Sequence, residues 1–380
     1  YTRYFRSLAS YTLVFVLSLF AITLSSEANA QTRATFTYNK GVSINHWASD
    51  PIDEWTFMDS KWFKKEDVQW IASEGFDHIQ LYVSAAEIMA PDFTFRDAPL
   101  RTLDSVKTWC RENRMGLVLV FRHFESLAAD SGLSQNQQAT IFTRERVAFY
   151  EKIALRYKNE MDNVRFMITP EATEQLAMVL DFYDKTATAI LRVNPNRNIY
   201  LSFGAIDNIQ KLSRHIANPH VKIASGLEGM RLTTDSLNTG LAIFVNQHQH
   251  FYKYPSMSFP GVVPAMDSLP ATHWAHSLTG TTVDENTIAL KLKRVRRWMA
   301  EHAINKEVYL SNFRFYTGWP LDPAAEKDKK SIQNFAEAVM KYTKQYNFPW
   351  SVYDYNSGSC IRYQNGGRAL ILQYMNVKKS

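Results

Sequence analysis

Eight short apolar or β-branched runs, each followed by an amphipathic helical pattern, constrain this chain more than any other feature. The runs cover residues 41–45, 78–84, 117–123, 164–169, 199–203, 242–248, 308–312 and 351–355. Helical spacing recurs after them at 64–74, 100–113, 143–160, 173–192, 207–216, 286–303, 327–346 and 367–376. Strands separated by helices pair in parallel, because a crossover returns the chain to the same end of the sheet. A count of eight matches closure into a (β/α)8 TIM barrel, an α/β fold whose typical length is about 250 residues before insertions. A doubly wound open sheet is the competing arrangement, and no Gly-rich phosphate loop follows the first strand to favour it. At 46% hydrophobic residues the chain can fill the core of one large domain.

The ends and the charge narrow the setting. Arg3 and Arg6 precede the apolar stretch 11–24, and Ala28-Asn29-Ala30 follows it. That order of basic, apolar and small residues is a signal-peptide pattern; the apolar stretch falls short of the roughly 20 residues a membrane span needs. The expected organisation is therefore a signal peptide over 1–30 and one barrel over 31–380, secreted or periplasmic, with no stable membrane anchor after cleavage. The net charge is +6, of which +5 belongs to residues 31–380. Its densest cluster, Lys291, Lys293, Arg294, Arg296 and Arg297, interleaves with Leu292, Val295 and Trp298 as a solvated helix face does, so no nucleic-acid partner is expected. Cys110 lies in a helical pattern as a buried thiol, and its spacing from Cys360 does not argue for pairing. No His, Cys and carboxylate cluster has metal-site spacing, and no cofactor is expected.

In a barrel of this kind the chemistry sits at the carboxyl ends of the strands. Polar and aromatic residues gather there: Asn45, His46 and Trp47; Gln80 and Tyr82; Arg122 and His123; Pro170 and Glu171; His250 and Tyr252; Asn312; Tyr353 and Asp354. Tryptophan rings offer flat apolar faces to sugar C–H groups while hydroxyls take hydrogen bonds. Trp47, Trp274, Trp319 and Trp350 are the candidate platforms, each with core packing as its alternative role.

The ordered motifs resemble glycoside hydrolase family 5, the cellulase type. KGVSINHW at 40–47 is similar to its opening strand, FDHIQLYV at 76–83 to its second, and 116–124 to its third. VRFMITPEA at 164–172 is similar to the fourth strand, His250-Phe251-Tyr252 to the HxY turn after the sixth, 307–313 to the seventh, and Trp350-Ser351-Val352-Tyr353-Asp354 to the eighth. The resemblance implies a barrel acting on or binding β-linked polysaccharide or oligosaccharide. It places the acid/base at Glu171 and the nucleophile at Asn312. Substrate contacts fall at Trp47, Gln80, Arg122, His123, His250, Tyr252, Trp319, Trp350 and Tyr353.

The departures from that family fall on the reactive positions. Asn312 replaces the nucleophilic carboxylate, Gln80 the Arg that supports it, and Pro170 the Asn that donates to the sugar 2-hydroxyl. Val120, Arg122 and Tyr353 also depart. A buried guanidinium without a carboxylate partner is costly, so the exchanges at 80 and 312 are coupled, and a neutral Gln80–Asn312 hydrogen-bonded pair is expected. A retaining mechanism needs two carboxyls about 5–5.5 Å apart, one of them attacking carbon. Three uses of the barrel follow. The first is a pseudoenzyme that binds glycan with hydrolysis lost or strongly impaired. The second is an active O-glycosyl hydrolase, endoglucanase-like or substrate-assisted, with Glu171 as general acid/base. The third is non-glycosidic chemistry drawing on Glu125, Asp207, His250 and Asp354. Glu171 also has a purely electrostatic alternative as the ion-pair partner of Arg122.

Overall fold

The computed structural model describes residues 36–47, 63–122, 132–170, 175–234, 257–314, 326–353 and 355, save 91, 93, 133, 161, 162 and 268. It also describes the single residues 124, 241, 244, 372 and 375. The chain divides into two units, Tyr1–Thr35 and Phe36–Ser380, and every described residue lies in the second. Glu171, His123, His250, Tyr252 and Trp319 fall outside the described residues, as do Glu125 and Asp354. Of Trp47 only the backbone is described, at the end of the first strand.

Eight parallel strands close into a barrel: β1 Lys40–Trp47, β2 His78–Ser84, β3 Gly116–Arg122, β4 Val164–Ile168, β5 Ile199–Ser202, β6 Val221–Gly226, β7 Val308–Arg314 and β8 Trp350–Tyr353. Each pairs with its sequence neighbours, and β1 closes on β8 with Gly41 opposite Ser351. The main crossover helices are α1 Lys65–Ser73, α2 Asp97–Glu112, α3 Gln135–Arg156, α4 Leu176–Val193, α5 Glu285–Glu301 and α6 Glu326–Gln345. Between β5 and β6 the crossover is reduced to a 3-10 turn, Ile206–Lys211, and one helical turn, Ser213–Ile216. The arrangement is a (β/α)8 TIM barrel.

Side-chain parity sorts each strand into two cores. On β2, Ile79, Leu81 and Val83 point out to the helices while His78, Gln80 and Tyr82 point into the barrel, although all seven strand residues are buried. The outward set continues through Leu117, Leu119, Val164, Phe166, Ile223, Val308 and Val352. The lumen is filled by Tyr38, Tyr82, Val118, Val120, Met167, Tyr200, Ala224 and Tyr309. Strands buried on both faces need apolar or satisfied polar residues on both, which is why a tyrosine-rich and partly charged lumen coexists with an aliphatic outer layer.

The lumen is closed at the amino-terminal end by charge and rings. Glu307 accepts from Lys222 Nζ at 2.8 Å and from Tyr200 OH at 2.5 Å, and it pairs with Arg165 at 3.3 Å. Burial alone would raise the Glu307 carboxyl, but the Arg165 and Lys222 charges outweigh it and hold the group below its ordinary value. The Arg165 guanidinium lies 3.5 Å from the Tyr38 ring centroid. Gly116 is required beneath that ring, since a Cβ there would meet Tyr38 Cζ at 2.4 Å. Higher up, Asp77, His78 and Tyr309 are linked by contacts of 2.7 and 2.9 Å, and a Cβ on Gly41 would strike the His78 ring at 2.1 Å.

One strand differs from the sequence expectation. The sixth strand is Val221–Gly226, not 242–248, where Phe244 is helical. Leu241 and Phe244 are both buried three residues apart, a helical spacing, and Phe244 packs on Phe259 and Phe335. The run 221–226 carries Lys222 at an inward position and so lacks the uniformly apolar look of its neighbours. Cys110 is a free thiol buried on α2.

Candidate functional site

A β-bulge shapes the carboxyl end of β7. Ser225 pairs with Leu310 but Gly226 pairs with Asn312, so one residue of β7, Ser311, is extra. The β8 side shows the same slip, with Trp350 opposite Leu310 and Val352 opposite Phe313. Before the bulge Val308 and Leu310 face outward; after it Phe313 does, packed in the same outer core. The slip therefore turns Asn312 inward, where unbroken alternation would have turned Phe313.

Across the lumen, Gln80 reaches this bulge. Its Nε2 donates to the Ser311 carbonyl at 3.0 Å and to Tyr82 OH at 2.7 Å. The expected Gln80–Asn312 side-chain pair is not formed: Gln80 Oε1 and Asn312 Oδ1 are both buried acceptors without a hydrogen-bond partner. The amide of Gln80 instead holds the bulge backbone, a role that needs no charge. Tyr82 in turn meets the Tyr353 ring edge-on at 6.0 Å and carries the Arg122 guanidinium 4.5 Å from its ring centroid. Gln80, Tyr82, Arg122 and Tyr353 thus form one contact set at the mouth, with Asn312 joined to it through Ser311. Tyr82 was named among the strand-end residues but not among the substrate contacts; its place two residues after Gln80 puts it on the same face of β2.

Trp350 is not a platform. It begins β8 on the outward parity, is 5% exposed, and packs edge-on against Phe76 and Phe313 at 6.2 and 5.7 Å. Trp274 is 45% exposed on the 3-10 turn Trp274–Leu278. It lies within the long connection from β6 to α5, which belongs to the mouth side of a β/α barrel. Asp207 is a loop staple: its carboxylate accepts the Thr233 backbone N–H at 2.9 Å and also the Thr233 hydroxyl. Among the described residues no group of three or more His, Cys, Asp or Glu is placed to hold a metal ion.

The correction of β6 brings forward a residue that the motif reading passed over. The residues that directly follow the sixth strand are Leu227 and Glu228; His250 and Tyr252 come later in the same connection, outside the described residues. A Cβ on Gly226 would lie 3.5 Å from the Glu228 carboxyl carbon and 3.5 Å from the Asn312 carbonyl oxygen. The carboxylate is therefore folded back over the strand end, beside Asn312. The Asn218-Pro219-His220 turn signal before Val221 and the Lys222/Ala224 alternation were the clues to this strand.

The barrel and its mouth have counterparts among known proteins. No family model matches the chain. Cellodextrinase A of Ruminococcus flavefaciens is 25% identical over 141 residues, 36% of this chain and 41% of that protein, so the chain spans under half of that relative's length. Among solved structures, cellulose synthase subunit Z of Clostridioides difficile superposes with a TM-score of 0.65 at 16% identity, covering 89% of this chain and 99% of that one. Thermotoga maritima Cel5A in complex with cellobiose gives 0.65 at 14% identity, covering 90% and 98%. The chain is related to the cellulase-type glycoside hydrolases of family 5.

Proposed function

We propose that the protein is exported and binds β-linked glucan or a similar β-linked polysaccharide in the barrel mouth, with the retaining hydrolysis of its relatives lost or strongly impaired. The observation that carries this reading is Asn312, turned inward by the β7 bulge at the place where the resemblance puts a nucleophilic carboxylate. An amide does not serve there as an ordinary nucleophile, and Gln80 holds the neighbouring Ser311 carbonyl and Tyr82 OH without offering a charge. Recognition is supported by Arg122 and Tyr353, a donor and a ring held at one end of the barrel against the buried Tyr82. The names of relatives point the same way, since one is a cellodextrinase and one is bound to cellobiose. Export rests on Arg3, Arg6, the apolar stretch 11–24 and Ala28-Asn29-Ala30.

The test is calorimetric titration of residues 31–380 with cello- and manno-oligosaccharides, beside a product assay that reports anomeric configuration. Binding that weakens in Tyr353→Ala, with no product of retained configuration, is the expected result. Absence of binding, or turnover with retention, overturns the reading.

A further inference from the structure

We infer that Trp274 is a second glycan platform, outside the barrel lumen, that holds a further stretch of a long β-linked chain. This rests on the glycan-binding reading above and deepens it, because it makes the ligand a polymer rather than a short oligosaccharide.

The indole is exposed against the trend of its own segment. Val263, Met266, Leu269, Ala275, Leu278 and Val283 are buried in the outer core between strands and helices, whereas Trp274 is 45% exposed. Leaving a large ring in water forgoes the burial that these neighbours obtain. Of the large apolar side chains exposed among the described residues, namely Leu155, Leu176, Val262, Trp274 and Leu290, it alone is aromatic.

The ring also has a fixed footing. The turn Trp274–Leu278 is capped by His273, whose Nδ1 accepts the Ala275 N–H at 3.2 Å. The His273 N–H donates to the Pro270 carbonyl at 2.8 Å, and His276 Nε2 donates to the same carbonyl at 3.0 Å. Ser277 Oγ donates to the Trp274 carbonyl at 2.7 Å. The His273 and Trp274 rings lie 5.4 Å apart at 33°, so the imidazole flanks the indole. A platform whose backbone is set before binding loses little freedom when a sugar settles on it.

The segment that carries the ring rests on the mouth-side ends of two helices. Phe259 N–H donates to Ser331 Oγ at 3.0 Å, and Asn334 Nδ2 donates to the Phe259 carbonyl at 3.2 Å, both near the start of α6. Asp284 caps α5 by accepting the Thr287 N–H at 3.0 Å. Between these anchors, Gly261 and Val262 pair antiparallel with Val283 and Thr282 and close the segment on itself. Helices of a β/α barrel begin at the end where the strands finish, which is the mouth. Ala275 and Leu278 belong to the outer core and not to the lumen set, so the turn stands on the rim of the mouth rather than in the cavity.

The surroundings of the ring select sugar over protein. The exposed residues beside it in the chain include Thr272, Ser277 and Thr279, which bring hydroxyls and no charge. A stable protein interface needs an apolar core and roughly 800 Å² on each side, and one ring among hydroxyls does not supply that. A β-linked glucose unit does match it: the C–H face covers the indole, and the equatorial hydroxyls meet the threonine and serine side chains. A long chain presents that face repeatedly, so two sites on one rigid barrel can hold it together and bind it more tightly than either alone.

The experiment compares soluble mixed-linkage β-glucan, followed by retardation in affinity electrophoresis, with cellotetraose, followed by calorimetry. Wild type should hold the polymer more tightly than the tetramer. Trp274→Ala should weaken polymer binding about 10-fold, the size of one lost aromatic contact, and leave cellotetraose affinity unchanged. Trp274→Tyr, which restores a ring, should recover most of the loss. An independent readout on the wild type is oxidation of Trp274 by N-bromosuccinimide, located by peptide mass mapping. The polymer should slow that oxidation and cellotetraose should not, and this readout decides if Trp274→Ala fails to fold. Four results overturn the platform while leaving the mouth reading intact: a polymer bound no more tightly than the tetramer, polymer affinity unaffected by Trp274→Ala, cellotetraose affinity falling in step with it, or oxidation that the polymer does not slow. A wild type that binds neither ligand overturns both.

Discussion

Removing the Glu307 carboxylate should destabilise the barrel more than it disturbs the mouth. Glu307→Gln keeps the shape and the acceptor for Tyr200 OH but leaves Lys222 and Arg165 without their anion, with side chains 15% and 12% exposed. At 2.8 and 3.3 Å, and an effective dielectric of about 20, each gross attraction is roughly 5–6 kcal/mol. Desolvation of the three ions offsets most of that, and breaking one partner of a buried pair typically costs about 3–5 kcal/mol. Partial solvent access puts the expected loss near the lower end, about 3 kcal/mol. The pH dependence has a definite sign. The folded carboxyl sits below its ordinary value, so its contribution is complete above the unfolded value of about 4.3 and is lost as pH falls through the folded value. Urea unfolding of wild type and Glu307→Gln should therefore differ by a constant amount above about pH 5 and converge in stronger acid. A difference under about 0.5 kcal/mol at pH 7, or one that grows on acidification, refutes the account of the closed end.

Asn312→Glu alone should not restore retaining hydrolysis, because Gln80 carries no charge to support the new anion and Pro170 donates nothing to a 2-hydroxyl; a reducing-sugar assay on it and on the triple variant with Gln80→Arg and Pro170→Asn checks this, and high activity in the single variant would contradict it. Trp350→Ala should cost about 3–5 kcal/mol in urea unfolding while leaving oligosaccharide affinity of the folded protein unchanged; lost affinity would return Trp350 to the mouth. Gly116→Ala should lose about 1–3 kcal/mol through overpacking against Tyr38, partly recovered in the double variant with Tyr38→Leu. Ala303→Gly should gain about 0.5 kcal/mol in thermal unfolding, since Ala303 follows α5 at a φ of 52° that glycine adopts without strain.

The strand and helix alternation was legible because parallel strands and their crossovers carry strong, separate periods. Seven of the eight strands lie where the patterns put them, and His78–Ser84 is matched residue for residue. The sixth was misplaced for a physical reason: an inward Lys222 at the closed end breaks the apolar run of the true strand, while the apolar residues near 244 imitate one. The misplacement drew attention away from Leu227 and Glu228, the residues that directly follow the true strand. Trp350 was misread for a related reason. A motif gives order along the chain but not parity, and at the start of β8 parity decides between lumen and outer core.

Asn312 shows why residue identity and residue direction must be read together. Alternation from Val308 places 308 and 310 outward and would place 312 outward as well, which would make an amide there irrelevant to the mouth. The bulge at Ser311 reverses that, and Gln80 holds it in place by donating to the Ser311 carbonyl. A guanidinium at position 80 would have required an anion nearby; the amide donates to the carbonyl and to Tyr82 OH and leaves its Oε1 buried without a partner. The exchange thus trades an ion pair for neutral hydrogen bonds and an orphaned acceptor, which costs less than an unpaired buried charge. It keeps the bulge, and the bulge keeps position 312 facing the lumen.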